Sequence, residues 1–312
     1  ARELKAMGLY VARSLSFDGV EYEALRHELT ADDIAIWDAW ADAYQLIHQN
    51  LRAALAAAGV TEDGKAKSGL AASAVMSAFE GCKQRFFGHL LSGLKSPSLG
   101  AAIRQDRADG RGAVVQVGST NEAVMERRLA EIPAEDWNNL AVDLTPKDQV
   151  LDYLMGAFPV MAMDAIEDEE GAVTMVPVMV DGVPVVSQEA LRLRDELVTH
   201  LACLPAVPGV LDAVLDALGT EIVAEITGRS RRVVRRDGRR VVERRSASAA
   251  KAETDAFMAG KKRVLVFSDA GGTGRSYHAD LGVANQQRRV HYLVEPGWRA
   301  DAAIQGLGRS HR

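Results

Sequence analysis

The chain has 312 residues, enough for two ordinary domains or one large one, and its hydrophobic fraction of 47% can supply a buried core. The formal net charge of −6 argues against a protein whose whole surface is basic and attracts nucleic acid. Cys82 and Cys203 have no metal-ligand spacing, so we expect two buried, reduced thiols and a cytoplasmic protein. No apolar run approaches the roughly 18 residues that span a bilayer.

Residues 1–95 predict helical connecting structure. One helix is expected to begin at a cap on Asp32 or Asp33 and to end near Gly59, because apolar residues recur at steps of three and four. A second helical pattern covers 70–95 and is interrupted by Ser96-Pro97. Since the sequence opens inside a helical pattern and closes on an arginine, we expect a fragment of a longer protein.

From residue 96 onward, strands and helices alternate, which predicts an α/β fold with a parallel sheet. Predicted strands lie at 113–120, 222–228, 263–268 and 289–295, and predicted helices at 121–132, 188–204, 209–219, 248–259 and 298–309. Two β-hairpins are expected, with turns at Asp181-Gly182 and Asp237-Gly238. The acidic, proline-containing stretch that begins at residue 133 is interpreted as an insertion.

A glycine-rich loop follows the predicted strand RVLVFS. Its Gly271, Gly272 and Gly274 would allow backbone N–H groups to converge on a phosphate at the carboxyl end of a parallel strand. A Walker A loop is a second interpretation, but Arg275 stands in place of its lysine and Asp269 in place of its first glycine. A structural turn that requires positive φ is the third.

The sequence closes on QGLGRSHR, in which Gln305, Gly308, Arg309 and Arg312 fit the pattern Q-x-x-G-R-x-x-R. On a continuous helix, Gln305, Arg309 and Arg312 would share one face. Two guanidinium groups beside an amide suit the charge on a phosphoryl group in transfer, as in an arginine finger. The alternative is a solvated basic helix end, which the helix dipole favours.

Nine arginines occur within residues 229–245. Four of them are expected at the tip of the predicted hairpin: Arg235, Arg236, Arg239 and Arg240. Such a cationic tip can follow a phosphate backbone or separate strands, although the hairpin itself has no aromatic side chain for stacking on bases. The alternative is a solvated hairpin, or one paired with the acidic segment 165–171.

Ser119 and Thr120 follow the first strand of the α/β region. They are candidates for contact with nucleic acid, and the alternative is that they cap the helix that follows. The histidines stand singly, with no two at ligand spacing on one face, so no metal site is predicted.

In chain order, these segments resemble the strawberry notch family of helicase-like ATPases, and specifically its helicase C-terminal domain. The stretch GKKRVLVFSDAGGTGRSYHADLGVANQQRRVHYLVEPGWRADAAIQGLGRSHR carries most of the resemblance. Within it, the loop 268–276 looks like motif V and residues 305–312 look like motif VI. AVVQVGST is similar to motif IV, and VAEITGRSRR also resembles the sequence of this family. The opening ELKAMGLYVARSLSFDGVEYE resembles the linker that leaves the first ATPase domain.

The resemblance implies a RecA-like parallel sheet in a helicase C-terminal domain at 96–312, after a helical linker region at 1–95. The poorly covered stretch 133–187 would be an insertion, and the arginine-rich hairpin would occupy 229–245. A first RecA-like domain of the same polypeptide would supply the P-loop lysine and the acidic box, neither of which is in this sequence.

The resemblance also implies roles for individual residues. ATP with Mg²⁺ would be held mainly by the first domain, with Arg309 and Arg312 facing the γ-phosphate and Gln305 and Gly308 beside the nucleotide. Gly272, Thr273 and Gly274 would couple the nucleotide to the nucleic acid, with DNA the expected form. The alternative is a non-enzymatic nucleic-acid-binding or scaffold module on the same fold.

Overall fold

The structure is a computed structural model that describes residues 19–58, 68–118, 120, 122–140, 145–167, 173–246, 248–268, 274–297 and 299–311. The helices are α1 (Ala31–Ala57), α2 (Ser68–Leu94), α3 (Ser96–Ala108), α4 (Glu122–Glu131), α5 (Lys147–Ala157), α6 (Gln188–Ala202), α7 (Val210–Leu218), α8 (Ala249–Met258) and α9 (Ala300–Leu307), with a 3-10 helix at Ala134–Asn138. The strands are β1 (Gly112–Val117), β2 (Met163–Glu167), β3 (Val173–Pro177), β4 (Met179–Val180), β5 (Val183–Pro184), β6 (Val223–Ile226), β7 (Arg231–Arg236), β8 (Arg239–Arg244), β9 (Val264–Ser268) and β10 (Arg289–Leu293).

Four strands form a parallel sheet in the order β10-β1-β9-β6. Every residue of β1, β6 and β9 is buried, which explains why these strands are mostly apolar, with Gln116, Glu225 and Ser268 as the polar exceptions. Because parallel neighbours require crossover connections, helices cover both faces of the sheet. The predicted α/β fold is therefore confirmed, and the architecture is consistent with a RecA-like fold.

The two faces of the sheet carry separate cores. On one face, α3 and α7 pack against Val115 and Val266. On the other face, Phe257 of α8 packs with Phe267 and Tyr277. The alternation of side chains along each strand places successive residues in opposite cores.

A third core lies among α1, α2, α5 and α6. It is rich in aromatic residues, with Trp40 and Phe86 at a ring separation of 4.4 Å, and the Trp40 indole donates to the Pro205 carbonyl at 3.0 Å. The helices of the predicted linker region thus share a core with α5 and α6, while the domain boundary at residue 95 stays a prediction.

Two predicted helix boundaries differ from the structure. α1 is capped by Thr30, whose hydroxyl accepts from the Asp33 N–H while the Asp33 carboxylate accepts from the Thr30 N–H. Asp33 is therefore the third residue of the helix, which completes a capping box, and not the cap. Ser96-Pro97 does end α2 but also begins α3, because proline is tolerated in the first turn of a helix. The predicted stop at Gly59 lies outside the described residues.

Both predicted hairpins are confirmed at their turns. Asp181 and Gly182 have φ of 51° and 77°, and Asp237 and Gly238 have φ of 49° and 78°. Two successive positive φ values are typical of the type I′ turn that Asp-Gly favours. The β2–β3 pair was not predicted.

The two cysteines differ in exposure. Cys82 is buried as expected, whereas Cys203 is exposed just after α6, so the prediction of a buried thiol is wrong there. Among the described helices, none has the length and apolar character to cross a membrane.

Candidate functional site at the carboxyl edge of the sheet

The four parallel strands all end at one edge of the sheet, the edge at which open α/β sheets bind ligands. β1 is followed by Gly118 and Thr120, β6 by the buried Thr227, and β9 ends on the buried Ser268. The segments that the sequence singled out after β1 and β9 therefore begin at the same edge.

Several predicted site residues fall outside the described residues: Ser119, Gly271, Gly272, Thr273 and Arg312. Their roles stay predictions. The described members of the same segments are Thr120, Gly274, Gln305, Gly308 and Arg309.

The last helix, α9, meets the sheet at Gly306. A Cβ atom at Gly306 would overlap the buried side-chain amide of Gln116 on β1. His291 of β10 lies beside this contact, with its Nε2 3.3 Å from Gln116 Oε1 and its Nδ1 2.7 Å from the Ser310 hydroxyl. The end of α9 is thus held on the two strands through polar contacts.

Burial lowers the pKa of His291 to about 4, so the imidazole is neutral at physiological pH. A neutral imidazole has one donor and one acceptor nitrogen, which suits a bridge between Gln116 and Ser310. Gln116 and His291 were not predicted as site residues. A polar residue within a buried strand is the signal that could have indicated Gln116, whereas β10, which carries His291, is only partly buried.

Arg309 does not continue the face of α9. The helix ends at Leu307 with Gly308 as its C-cap, and the Arg309 carbonyl accepts from the Tyr277 N–H at 2.6 Å. The predicted helical face shared by Gln305 and Arg309 is therefore wrong, because the chain leaves the helix to pair with the segment after β9. Gln305 is exposed on α9.

The Arg309 side chain contacts the glycine-rich loop. Its Nη1 donates to the Arg275 carbonyl at 3.3 Å, and its guanidinium carbon lies 5.8 Å from the centre of the Phe267 ring. Its Nε is enclosed and has no hydrogen-bond partner among the described residues. The structure thus brings together the loop after β9 and the arginine after α9, two separate features of the sequence.

Tyr277 lies fully buried next to this contact. Burial raises its pKa to about 12, against the opposing influence of the positive charges of Arg309 and Arg275, so the hydroxyl stays protonated. That hydroxyl, too, lacks a hydrogen-bond partner within the described part of the chain. Enclosed donors beside an arginine suit an anion, because an unmet buried donor costs about 1–3 kcal/mol.

Arg275 is turned toward α8 and held there. Its Nη1 donates to the Ala250 carbonyl at 3.3 Å and to the Thr254 hydroxyl at 3.2 Å. The side chain that would replace the Walker A lysine is therefore occupied by protein, which argues against the P-loop interpretation. Gly274 has φ of +74°, so the turn does require glycine at this position.

The arginine hairpin places like charges opposite one another. Arg235 pairs in register with Arg240, and Arg236 pairs with Arg239. Like charges directly opposite on antiparallel strands are destabilising. Arg236 forms an ion pair with Glu243, while Arg235 and Arg239 are exposed. The four arginines lie at the tip of the hairpin, as predicted.

The base of the hairpin stacks on an aromatic residue from outside it. The guanidinium groups of Arg231 and Arg244 lie 5.0 and 5.6 Å from the centre of the Trp137 ring. These are cation–π distances. Much of the acidic segment 165–171 lies outside the described residues. The arginines of 229–245 form ion pairs with Glu126, Asp212, Glu225 and Glu243 among the described residues.

A buried carboxylate, Glu225 of β6, anchors the hairpin to the sheet. It accepts from Arg229 Nε at 2.9 Å, and Arg245 Nη1 lies 3.2 Å away. Burial alone would raise the pKa of Glu225, but Arg229 and Arg245 lower it to about 2. The charged network therefore fixes the hairpin at the carboxyl edge of the sheet. A glutamate inside the apolar run IVAEITG is the signal that could have indicated it.

A cavity of about 200 Å³ lies where the hairpin meets α4, α5 and α7. Thr120, Arg229, Arg235 and Arg240 are among its lining residues. Thr120 and two tip arginines, predicted separately as nucleic-acid contacts, thus line one cavity. In the described part of the chain, no group of His, Cys, Asp and Glu side chains has an arrangement that could hold a metal ion.

Comparison with known proteins shows which family these features belong to. The family described as the C-terminal domain on strawberry notch homologue matches residues 209–312, which include the hairpin, β9, β10 and α9. Residues 209–312 are a strawberry notch C-terminal domain. The helicase-like character expected for this part of the chain follows from that assignment.

The strawberry notch likeness extends beyond that domain. The chain aligns over its whole length with strawberry notch homolog 2 of Homo sapiens, at 28% identity and over 28% of that protein. It is 39% identical to the protein strawberry notch of Drosophila melanogaster over 45% of the chain and 10% of that protein, and 37% identical to FORGETTER 1 of Arabidopsis thaliana over 40% of the chain and 10% of that protein.

The beginning of the chain matches another family, described as P-loop containing NTP hydrolase pore-1, over residues 1–39. The chain spans less than a third of the length of the relatives named above. No solved structure matches the chain.

Proposed function

We propose that this chain provides the second motor domain of a helicase-like, nucleic-acid-dependent ATPase. The observation that carries the proposal is the contact of Arg309 with the loop after β9, at the ligand-binding edge of a parallel sheet in a strawberry notch C-terminal domain. The match of residues 1–39 to an NTP hydrolase family supports a neighbouring ATPase domain in the same polypeptide.

Arg309 and Arg312 are assigned to the γ-phosphate of ATP bound by that first domain. The Arg309 Nε and the protonated Tyr277 hydroxyl, neither of which has a hydrogen-bond partner among the described residues, fit an anion. Closure of the two domains would bring the guanidinium groups onto the charge that develops on the phosphoryl group, where an arginine finger is worth about 10³–10⁵ in rate. Gly272, Thr273 and Gly274 would transmit closure to the nucleic acid.

Mg²⁺ and most of the nucleotide are assigned to the first domain. Among the described residues, the carboxylates form no cluster suited to a metal ion. The sequence also lacks G-x-x-x-x-G-K-[ST]. We therefore expect the 312-residue chain alone to hydrolyse no ATP.

Nucleic acid, with DNA the preferred form, is assigned to the arginine hairpin and to Ser119 and Thr120. The cross-strand pairs Arg235–Arg240 and Arg236–Arg239 support this, because their mutual repulsion is relieved by a polyanion. Reopening of the domains after hydrolysis would change the contacts with the nucleic-acid strand and so move the protein along it.

The test is an ATPase assay on the full-length protein that contains this chain. Arg309→Lys is expected to lower kcat by at least about a hundredfold, because lysine keeps the charge but loses the planar fork. Arg104→Lys, at an exposed position on α3, is the matched control and should leave kcat unchanged.

Wild-type kcat in Arg309→Lys would contradict the role of Arg309. A full-length protein that binds nucleic acid but hydrolyses no ATP would favour the non-enzymatic module. Turnover by the isolated chain that disappears in Arg275→Ala would restore the P-loop interpretation.

A further inference from the structure

The cavity beside the arginine hairpin has the size of a small molecular fragment. Its volume of about 200 Å³ lies below the roughly 300–1,000 Å³ typical of sites for drug-sized ligands. Its walls come from α4, α5, α7 and the hairpin, and Thr120 lies at its border with the sheet edge. An occupant is therefore limited to something near a single ring system.

Arg229 and Asp212 both line the cavity and form an ion pair with each other. Arg229 is 3% exposed, and its Nη1 donates to Asp212 Oδ1 at 2.7 Å. Its other terminal nitrogen, Nη2, is enclosed and meets no hydrogen-bond acceptor among the residues that the structure describes. The Asp212 side chain keeps 31% of its surface exposed, so its carboxylate remains accessible.

This pair matches the edge of a nucleobase. Each base carries a hydrogen-bond donor next to an acceptor on at least one edge, and unstacked bases are recognised through those edges. An acceptor from a base would satisfy Arg229 Nη2, and a donor from the same edge would meet Asp212. An unmet buried N–H group is destabilising, so an occupant that accepts a hydrogen bond from it gains affinity.

The remaining walls suit the flat face of a base. Val124, Met125, Pro208 and Val233 provide apolar surface. Apolar and aromatic walls with a few hydrogen-bonding groups are the way in which extruded bases are held.

The charges around the cavity favour a base over a free phosphate. Three carboxylates line it, those of Asp148, Asp212 and Asp216, and these would repel an anion inside. Arg235 and Arg240 line it from the hairpin, next to the exposed tip, where the phosphates of a strand would lie.

We propose that this cavity receives one unstacked base of a single-stranded nucleic acid whose phosphates lie along Arg235 and Arg240. The inference rests on the nucleic-acid part of the proposed function and adds a base-binding site to it. Because every base presents a donor–acceptor edge, the site distinguishes strands with bases from strands without them and carries no strong sequence preference.

The first experiment compares two probes on the intact chain: a 20-nucleotide oligo-dT and an abasic tetrahydrofuran oligomer of the same length. The wild-type chain is expected to bind oligo-dT about tenfold more tightly, because holding a base is worth about 1–3 kcal/mol. Val124→Trp fills the cavity without changing charge and should remove this preference while the affinity for the abasic oligomer is unchanged. Ala123→Trp, at the exposed neighbouring position on α4, should keep the preference.

The second experiment uses only the wild-type chain and so does not depend on the folding of a variant. An oligonucleotide with 5-iododeoxyuridine at every base is crosslinked to the chain by ultraviolet light, and the attached peptides are mapped by mass spectrometry. Crosslinks at Met125 or at Val233 support the site, and crosslinks confined to other peptides overturn it.

The outcomes separate this inference from the proposed function. Equal affinity of the wild-type chain for the two oligomers, or an undiminished preference in Val124→Trp, overturns the base site and leaves nucleic-acid binding intact. Failure of the wild-type chain to bind either oligomer overturns both.

Discussion

At the scale of single residues, Gly306 is the position at which α9 lies closest to the sheet. Glycine inside a helix costs about 1 kcal/mol relative to alanine, so its presence there requires a reason. The reason is Gln116, whose amide occupies the space that a Cβ would take. This contact places the residues that follow, and Arg309 among them, against the loop after β9.

Gly306→Ala is expected to lower the free energy of unfolding by about 1–3 kcal/mol, the usual cost of overpacking a filled site. Urea unfolding of the isolated chain measures it. The matched control is Gly156→Ala on α5, where an added Cβ would meet nothing within 4 Å. There, the helix propensity of alanine should raise stability by up to about 1 kcal/mol. Equal changes in the two variants would show that packing on Gln116 is not what excludes a side chain at Gly306.

At the scale of elements, the arginine hairpin combines a local turn with distant anchors. Its Asp-Gly turn and its mirrored sequence predict the strands β7 and β8 correctly. Its orientation depends on Glu225 of β6 and on Trp137 from the 3-10 helix, which contact it from other elements. Nothing in the hairpin sequence indicates these anchors, because they lie on other elements of the fold.

Removal of charge from the hairpin tip tests its role in binding. The variant with Arg235, Arg236, Arg239 and Arg240 all changed to Ala is expected to bind a single-stranded oligonucleotide at least tenfold more weakly at 0.1 M salt. The slope of log affinity against log salt should fall by about 0.7 for each phosphate that the variant no longer neutralises. Fluorescence anisotropy across a salt series measures both quantities.

A charge-matched control removes four exposed arginines elsewhere: Arg26, Arg104, Arg127 and Arg192. It lowers the net charge equally and should alter affinity much less. If the two quadruple variants show equal reductions in affinity and salt slope, the effect belongs to net charge and the hairpin has no special role.

At the scale of the whole molecule, two histidines with lowered pKa values lie in different places, the buried His89 on α2 and the partly buried His291 on β10. Burial lowers the pKa of His291 beside the sheet to about 4, and burial together with the charge of Arg85 lowers that of His89 on α2 to about 4. An unfolded histidine titrates near 6.5. The unfolded chain therefore binds more protons than the folded chain between pH 6.5 and pH 4.

Stability is expected to be full above pH 6.5 and to fall as the pH drops toward 4, because these folded-state pKa values are depressed. Urea unfolding at pH 7 and pH 5 measures the difference. The double variant His89→Asn, His291→Asn should show a smaller difference than the wild type. His200→Asn, at an exposed position on α6, should leave the difference unchanged. An identical pH dependence in the double variant would mean that other groups cause the acid sensitivity.

Much of the fold follows from the sequence by itself. Short, mostly apolar runs predict β1, β6 and β9, since strands buried on both faces need no alternation of apolar and polar residues. Asp-Gly predicts both hairpin turns, since few other dipeptides accept two positive φ values. The motif at residues 305–312 and the glycine-rich loop at 268–276 indicate the helicase-like family, because their glycines and arginines are residue types that contact phosphate groups.

Only the tertiary structure decides what those segments contact. Gln116 and His291 are 175 positions apart in the chain and become neighbours because β1 pairs with β10. Arg309 leaves the helical face that its spacing predicts, because its carbonyl accepts from Tyr277, a residue of the loop region after β9. Likewise, Arg229 is enclosed because β6, α7 and the hairpin meet around it, and its Nη2 has no hydrogen-bond partner within the described part of the chain. The spacing of apolar residues and turn residues predicts helices and strands, because these depend on local backbone preferences. A functional site forms from side chains of distant parts of the chain, which come together only through strand pairing and core packing.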